Sequence, residues 1–511
     1  MLWPDATALA ESIARGVIGA TEALEASIAR GEALNPEINA LCNPAHAQAR
    51  AEAATIDRLL VAARRDRLAL KVLQRERPFL GVPSLLKDHR TPALGIPSSM
   101  GSRLFPRIDW PADSELVTRY KRAGFVFFGR TTVPEMGLSP STEAVANGGP
   151  TRNPWSTTHS SGGSSGGAGA AVAADIVTIA HGSDGAGSIR IPASNCGLFG
   201  LKPSRGLMPT APDAESGGGL NTQHMLTRSV RDSALALDLA AGSDIGASYA
   251  APQSPLTYLA HVQAAVRGIE HGSARSRPRP LRIACTWKTP DGHPVDPAVE
   301  RAVREAAKLL ESLGHTLVDA APDFSALETL DPILKIFAAS AALAVGRAER
   351  QRGRPAGLDD LEPATLSAVM LGRAMSAAQY VEAIGKLSEI TRRAARFMHG
   401  DGTAGSGYDL MLSPVLATPP IELGRIPMSH PDFMQYRTAP DGVVRYSPFT
   451  PLANATGQPA ASVPFAITPD GLPVGVQITG RFGEDWRVLE VGAQIEHAQP
   501  WPACAPGYTN H

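Results

Sequence analysis

The sequence predicts an α/β fold, in which a β-sheet is layered by α-helices. Two observations support this fold class. From residue 81 onward, short apolar runs bounded by Gly and Pro alternate with stretches of helical periodicity over most of the length. The chain also has 511 residues, of which 43% are hydrophobic, so it is long and apolar enough to bury a large core.

The N-terminal segment carries only the helical pattern. Residues 6–33 are rich in Ala and Glu and place apolar side chains at helical spacing, which predicts one helix that Asn35 and Pro36 end. Residues 45–69 predict a second helix with one charged and exposed side.

Strands and helices alternate in the rest of the chain. Asp296 before Pro297 predicts the cap and first turn of a helix that stops at Gly314. Residues 324–400 are almost wholly helical and are predicted to cover the functional site, whereas residues 273–280 predict a loop. Buried strands are predicted at residues 125–129, 176–180, 281–285, 460–465 and 474–480.

No loop marks a clear domain boundary, because the alternation of strand and helix resumes after each one. We therefore predict a single domain over residues 1–511. Its parts are N-terminal helices (1–75), a core segment (81–245), a helical insertion (324–400) and a C-terminal core segment (401–500).

Charge and composition argue against several classes of function. The formal net charge is −1, which gives no electrostatic reason to expect nucleic acid or an anionic membrane as partner. The densest basic stretch, 64–77, is interrupted by apolar residues and is interpreted as a solvated helix face. No stretch approaches about 18 uninterrupted apolar residues, and the N-terminus lacks the features of a secretory signal.

The cysteines give no sign of a disulfide framework or a zinc site, because they lie far apart and form no CxxC pair. They are Cys42, Cys196, Cys285 and Cys504. A cytoplasmic, soluble enzyme without cofactor or metal fits these observations.

Lys87 is the first candidate catalytic residue. It lies between the apolar pair Leu85 and Leu86 and the acidic Asp88, and this context predicts at least partial burial. Burial would lower the lysine pKa from its usual value near ~10.4, and a neutral amine is a competent base for a serine hydroxyl. The alternative is a surface lysine with a buried stem.

Ser164 and Ser165 lie within the glycine-rich run 162–167. A flexible linker is one alternative, but the small-residue stretch that follows favours a buried helix. A phosphate-binding loop is another, but the Lys-Ser/Thr ending of such loops is missing. The run also fits the elbow of α/β-hydrolases, which requires an upstream strand, whereas residues 155–161 are polar and predict a loop.

Ser188 has the more favourable setting for a nucleophile. The predicted strand 176–180 precedes it, followed by Asp184 and three small residues whose N–H groups can approach a developing oxyanion. One such donor is worth about 3 kcal/mol in the transition state. A plain glycine-rich turn is the alternative. The nearby histidines lack a recognisable orienting partner and are interpreted as structural; they are His89, His181 and His224.

With these residues in place, the chain resembles the amidase signature family, whose members hydrolyse C–N bonds with a Ser-cisSer-Lys triad. The resemblance covers most of the chain and is strongest over residues 149–206, with further similarity at 454–460 and 471–477. The separation between Ser164 and Ser188 also matches the family.

The resemblance implies an amidase-signature fold, with a central mixed sheet covered by helices on both faces. It makes Ser188 the nucleophile, Lys87 the base, and Ser164 a relay hydrogen-bonded to both. The Gly163–Ser164 peptide bond would be cis. No cofactor or metal is implied, and a homodimer is a family-level expectation.

The resemblance further assigns the oxyanion hole and the residues that hold the loops. Gly185, Ala186 and Gly187 would form the hole together with Ser188. The family commonly has Thr-Gly-Gly before the nucleophile, and the extra methyl of Ala186 would narrow the space beside the scissile carbonyl. The residues implied to hold the loops are Ser165, Asp184 and Arg190.

Within the family, the chain looks most similar to nylon-oligomer (6-aminohexanoate cyclic dimer) hydrolases and related broad amidases. Small-molecule amides, including aryl amides and carbamates, are then the expected substrates. A glutamine-dependent amidotransferase subunit and a non-catalytic relic are the alternatives. We expect an apolar pocket that favours bulky neutral groups, built from Met136, Gly137, Leu138, the loop 217–220, Ile336, Phe337, Met370 and Leu371.

Overall fold

The computed structural model describes residues 3–213, 217–270, 279–403 and 405–508. The strands in these ranges are β1 (Leu41–Cys42), β2 (Pro83–Lys87), β3 (Val126–Thr131), β4 (Arg152–Asn153), β5 (Ser156–Ser160), β6 (Ile179–Asp184), β7 (Phe199–Lys202), β8 (Thr222–Thr227), β9 (Arg282–Cys285), β10 (Thr316–Asp319), β11 (Leu410–Pro414), β12 (Ala460–Ile467) and β13 (Pro473–Gly480). The α-helices are α1 (Ala6–Arg15), α2 (Ala20–Ile38), α3 (His46–Ala63), α4 (Arg67–Glu76), α5 (Glu115–Ala123), α6 (Gly166–Ala173), α7 (Arg190–Asn195), α8 (Val230–Ala240), α9 (Tyr258–Glu270), α10 (Pro297–Ser312), α11 (Ala326–Arg352), α12 (Pro363–Ala374), α13 (Ala377–His399), α14 (Phe433–Thr438), α15 (Val443–Tyr446), α16 (Thr450–Thr456) and α17 (Asp485–Ala498).

An eight-stranded sheet in the order β10-β9-β11-β13-β12-β7-β8-β6 forms the centre of the molecule. Strands β10, β9 and β11 are parallel, and the remaining pairs are antiparallel, so the sheet is mixed as expected. A three-stranded sheet, β1-β3-β2, lies alongside β6. Ser84 Oγ of β2 donates a hydrogen bond to the Ile179 carbonyl of β6 at 2.9 Å. This contact places the first residues of β2 and β6 side by side.

Helices cover both faces of the central sheet. Successive side chains of a strand point to opposite faces of the sheet. Two neighbouring residues of β7 therefore identify the helix that packs on each face. Phe199 packs against Gly492 of α17, and a methyl group on Gly200 would lie 2.6 Å from the Ala193 side chain of α7. The predicted α/β class with helices on both faces is therefore confirmed.

The N-terminal helices differ from the prediction. Residues 6–33 do not form one helix, because Gly16 adopts a left-handed conformation (φ 79°) and ends α1. Helix α2 then continues through Pro36 to Ile38. Pro36 leaves only the carbonyl of Glu32 without its helical donor, and Glu32 is exposed to solvent, which satisfies that group.

The predicted second helix is also divided. Helix α3 ends at Ala63, and Asp66 caps a separate helix, α4, by accepting a hydrogen bond from the Leu68 amide at 2.8 Å. Because α4 has no buried residue, its basic stretch is solvated as predicted.

Strand β6 begins three residues later than predicted. The amides of Ile176 and Val177 donate to the Ala171 carbonyl and so complete the end of α6. The strand therefore runs from Ile179 to Asp184, closer to Ser188 than expected.

The other predicted elements have mixed outcomes. Helix α10 starts as predicted, with Asp296 Oδ1 accepting from the Ala298 amide at 2.8 Å. Residues 324–400 form the three helices α11 to α13, of which α11 packs on the other two. By length and composition α11 is the one described helix apolar enough to cross a membrane, and 50% of its apolar window is buried in the fold. Most of the predicted loop 273–280 lies outside the described residues.

Candidate active site

Lys87 is the last residue of β2 and is completely buried. Its Nζ lies 2.7 Å from Ser164 Oγ, 2.9 Å from Ser183 Oγ and 3.1 Å from the Ser183 carbonyl oxygen. Burial lowers the pKa of Lys87 to about 7, against the opposing influence of the Asp184 charge. A substantial fraction of this amine is therefore neutral near pH 7. Sequence reasoning anticipated the burial of Lys87 but missed Ser183 as its partner.

Ser164 lies in a turn that enters α6. The Gly163–Ser164 peptide bond is cis, as the resemblance implied. Helix α6 follows directly and is buried throughout, so the run 162–167 is not a flexible linker. The upstream segment, expected to be a loop, contains β5, but β5 pairs with β4 and bridges to Glu422 through His159, and it does not belong to the central sheet. The arrangement therefore differs from an α/β-hydrolase elbow.

Ser165 ties this turn to the neighbouring chain segments. Its amide donates to the Ser188 carbonyl at 3.2 Å. Its hydroxyl donates to the Ser183 carbonyl and accepts from the Ser183 amide, both at 3.3 Å. These bonds fix the spacing between the loops that carry Ser164 and Ser188.

Ser188 follows β6 and is half-buried, with its side chain at the wall of a cavity. Within the described residues, the amides of Gly185, Ala186 and Ser188 have no hydrogen-bond acceptor. The amide of Gly187, by contrast, donates to Asp184 Oδ1 at 2.6 Å. The expected contribution of Gly187 to the oxyanion hole is therefore wrong, because its donor is already engaged.

Gly187 has a different, conformational role. Its φ is +130°, and a methyl group there would lie 2.3 Å from Thr450 Oγ1. Only glycine tolerates both this backbone conformation and this close approach. The third small residue of the predicted turn thus shapes the turn rather than donating to substrate.

Asp184 and Arg190 form a completely buried ion pair beneath the turn. Arg190 Nε donates to Oδ2 and Nη2 to Oδ1, both at 3.0 Å. Burial by itself raises the pKa of Asp184, but the charge and hydrogen bonds of Arg190 outweigh it and hold the pKa below its usual range. The carboxylate stays ionised and holds the turn through the Gly187 and Ile189 amides.

Three residues of the C-terminal segment complete this network, and sequence reasoning gave them no role. Arg190 donates to Asn454 Oδ1 at 2.6 Å, to Gln477 Oε1 at 2.8 Å and to the Thr450 carbonyl at 2.9 Å. Asn454 and Gln477 belong to the two stretches, 454–460 and 471–477, whose sequence resembled the family. That similarity was the available signal.

The buried pair leads to a stability prediction. We expect Asp184→Asn to lower the free energy of unfolding by about 3–5 kcal/mol, because it leaves Arg190 buried without a counter-charge. Chemical denaturation measures the loss. The matched control is Asp109→Asn, which breaks an ion pair with Arg107 whose side chains are 66% and 65% exposed, and we expect a much smaller loss because solvent screens this pair. Equal losses in the two variants would contradict a structural role for the buried pair.

Ser164 and Ser188 open into a cavity of about 480 Å³. The predicted residues Met136, Gly137 and Leu138 line it. Helix α11 forms the facing wall with Phe337, Ser340, Ala341, Leu343, Ala344 and Arg347.

Part of the predicted pocket is wrong. Ile336 is buried in a hydrophobic cluster behind the wall, although it neighbours Phe337 in sequence. Met370 is 63% exposed at the surface, and Leu371 packs against the hydrophobic cluster that contains Leu138 without itself lining the cavity. Of the loop 217–220, Gly217 lines the cavity, whereas Leu220 is buried in the core.

The histidines near the motifs fall into two groups. His181 and His224 are buried, where His181 Nδ1 accepts from the Lys87 amide and His224 contacts Ser233. His89 instead lines the cavity, which was not predicted. Burial, with the nearby Lys87 charge, lowers the pKa of His89 to about 3, so its imidazole is neutral.

Polar groups also line the cavity. Arg90 forms an ion pair with Asp213 at 3.3 Å, and Asn221 and Arg347 also line the wall. Within the described ranges, no group of three or more His, Cys, Asp or Glu side chains is placed to hold a metal ion.

Comparison with known proteins identifies the family. The sequence profile of the family described as Amidase matches residues 22–489. The chain belongs to the amidase signature family. This amidase is 35% identical over 518 residues to the 6-aminohexanoate-cyclic-dimer hydrolase of Pseudomonas sp. (strain NK87), covering 100% of the chain and 97% of that relative.

Solved structures agree with this assignment. A structure of 6-aminohexanoate cyclic dimer hydrolase matches with a TM-score of 0.86 at 33% identity, over 100% of both chains. A bacterial aryl acylamidase of the same family matches with a TM-score of 0.83 at 27% identity, over 98% of this chain and 97% of that one. The protein is therefore an amidohydrolase that acts on C–N amide bonds.

Proposed function

We propose that this amidase hydrolyses small carboxylic amides that carry a bulky neutral group, including aryl amides and carbamates, through an acyl-enzyme on Ser188. The observation that carries the proposal is the 2.7 Å contact between the buried Lys87 amine and Ser164 Oγ, next to Ser188 in one cavity. The amide substrates named for the relatives support the same chemistry.

The three contacts of Lys87 provide acceptors for the three N–H donors of an ammonium group, and they also accommodate the neutral amine that the reaction requires. Such an amine has two N–H donors and one lone pair. The two acceptor oxygens of Ser183, at 2.9 and 3.1 Å, take the two donors. The lone pair then points to Ser164 and accepts its hydroxyl proton. Ser183 therefore orients the base in addition to burying it.

The reaction begins with a proton relay. Lys87 takes the hydroxyl proton of Ser164, and Ser164 takes that of Ser188, whose oxygen attacks the amide carbonyl. In the structure, the Ser188 hydroxyl makes no hydrogen bond within the described residues. The relay is completed when Ser188 rotates toward Ser164 as the substrate carbonyl enters the turn.

The turn before Ser188 then stabilises the tetrahedral intermediate. Its oxyanion accepts from the amides of Gly185, Ala186 and Ser188, which have no acceptor in the part of the chain that the structure describes. The proton returns through Ser164 to the leaving nitrogen, and the C–N bond breaks to give the acyl-enzyme. Water, activated by the same relay, releases the carboxylic acid and regenerates Ser188.

The cavity indicates the shape of the substrate. The apolar side chains of Phe337, Leu343, Met136 and Leu138 favour a bulky neutral group near the serines. A volume of about 480 Å³ holds a small aromatic or cyclic aliphatic amide.

A hydrolysis screen tests the proposal. Purified protein is offered aryl amides, aliphatic amides, carbamates, esters and glutamine, and product release is measured without partner subunits. We expect hydrolysis of aryl and neutral amides with no preference for glutamine. Activity restricted to glutamine, or requiring partner subunits, would favour the amidotransferase alternative. If the protein hydrolyses none of these compounds and a fluorophosphonate does not label Ser188, a non-catalytic relic is favoured.

The lowered pKa of Lys87 leads to a pH prediction. Protonated Lys87 cannot accept a proton, so kcat/KM for a neutral amide should rise with pH up to about 7 and level off above it. Lys202 is also buried and also has a pKa lowered to about 7, by burial foremost, so the profile is repeated in Lys202→Met. A kcat/KM that stays flat or falls as the pH rises to about 7 would contradict the assignment of Lys87 as the base. So would a rise with pH that is present in the wild type and lost in Lys202→Met.

A further inference from the structure

A second, smaller cavity of about 30 Å³ also reaches Ser188. Its wall includes Ser139, Ala186, Ser447 and Arg437. Because Ser188 belongs to both cavities, a substrate whose amide lies at this serine has two directions in which to extend.

Arg437 is an unusual component of this wall. It is only 5% exposed, and the rings of Phe433 and Tyr436 lie 5.2 and 5.4 Å from its guanidinium carbon. One nitrogen, Nη2, donates to the Leu138 carbonyl. Its Nε has no hydrogen-bond partner, and within the described residues no carboxylate pairs with the guanidinium.

A buried cation without a counter-charge is costly to the fold. Burial lowers the pKa of Arg437, and the residue is still a cation at neutral pH. Buried charges in proteins are normally paired, because desolvation costs several kcal/mol that only a partner or ligand offsets. Arg190 differs from Arg437 in this respect, because it is buried but forms an ion pair with Asp184. Arg437 therefore has the character of a receptor for an anion.

We propose that the small cavity binds a carboxylate carried by the substrate and that Arg437 pairs with it. This inference rests on the proposed function, because it presumes attack by Ser188 on an amide. The preferred substrates are amides with a bulky neutral half, which fills the large cavity, and a short half that ends in a carboxylate. Monoamides of short dicarboxylic acids and N-acyl derivatives of small amino acids have this form.

The other cations near the site are less suited to a short carboxylate. Arg90 is already paired with Asp213. Arg347 is exposed on α11 and lies ten residues beyond Phe337, which is about 15 Å along the helix axis. Arg437 instead lines the small cavity that also reaches Ser188, it has no carboxylate partner within the described residues, and its planar guanidinium matches a carboxylate at two points.

The test compares substrates that differ only in charge. Succinanilate is paired with the anilide of isocaproic acid, and N-benzoylglycine with N-isobutylbenzamide, so that methyl groups replace the carboxylate oxygens. The two pairs place the carboxylate on the acyl half or on the amine half. We expect kcat/KM to favour the carboxylate member of at least one pair by about tenfold or more.

Variants locate the source of this preference. Arg437→Met should bring the ratio of carboxylate to neutral substrate close to one, and Arg437→Lys should retain part of it. Arg445→Met, an exposed arginine of the adjacent helix α15, is the matched control and should keep the ratio of the wild type.

Each outcome decides the inference. The inference is overturned if the wild type shows no preference for the carboxylate substrates. It is also overturned if Arg347→Met, rather than Arg437→Met, removes the preference, or if Arg437→Met lowers kcat/KM equally for charged and neutral substrates. If Arg437→Met does not fold, competitive inhibition of the wild type by succinate decides, and no inhibition overturns the inference. Hydrolysis of the neutral anilide by the wild type tests the proposed function separately.

Discussion

Replacing Ser188 with alanine is expected to lower kcat/KM for every amide substrate by about 10⁴-fold or more, because it removes the atom that forms the acyl-enzyme. The fold should be retained, since the Ser188 hydroxyl has no hydrogen bond within the described residues. Steady-state hydrolysis of an anilide measures the loss, and fluorophosphonate labelling followed by mass spectrometry locates the modified residue.

The control for this variant is Ser312→Ala, which removes an exposed hydroxyl at the end of α10. It should leave hydrolysis and labelling unchanged. Labelling that persists in Ser188→Ala at the wild-type rate, or that falls on Ser164, would contradict the assignment of the nucleophile.

Lys87→Met is expected to slow acylation by about 10²–10⁴-fold, the usual contribution of a general base. Methionine nearly fills the volume of the lysine stem but offers no lone pair of comparable basicity to Ser164. The rate of fluorophosphonate labelling and the single-turnover rate with an anilide measure the effect at the acylation step.

Lys202→Met is the matched control for Lys87→Met. Lys202 is likewise buried, its pKa is likewise lowered to about 7, and its Nζ donates to the Pro203 carbonyl at 2.8 Å. We expect this variant to change stability while leaving the acylation rate within a few-fold of wild type. Equal losses in the two lysine variants would mean that Lys87 contributes to the fold rather than to chemistry. If His89→Ala abolished labelling while Lys87→Met did not, a histidine base would replace the lysine.

The burial of Lys87 and the free amides near Ser188 could be predicted from the sequence, because each depends on a short stretch of neighbouring residues. Lys87 follows two apolar residues of a strand, and that context was enough to predict its burial. Ser188 follows a strand and a run of small residues, which was enough to predict free amides near it. The single-domain organisation over residues 1–511 remains a prediction.

Side-chain geometry set the limit of the sequence-based predictions. Gly187 was expected to donate to an oxyanion, but its amide points at Asp184, which depends on the rotamer of a residue three positions earlier. The helical period shows that Phe337 and Ala341 share a face of α11, but not that this face, rather than α12 with Met370, meets the serines. Arg437 lies far from the motifs in sequence, so its position beside Ser188 could come only from the fold.

The central claim is that a substantial fraction of the Lys87 amine is neutral at pH 7 in the resting enzyme, and direct titration of that amine tests it. Selective ¹³C labelling of lysine side chains, with Lys87→Met to assign the resonance, gives its pKa by NMR. We expect a value near 7, because burial lowers the pKa of Lys87. A value close to the ordinary lysine pKa of about 10.4 would leave Lys87 protonated at neutral pH and would contradict its role as the base.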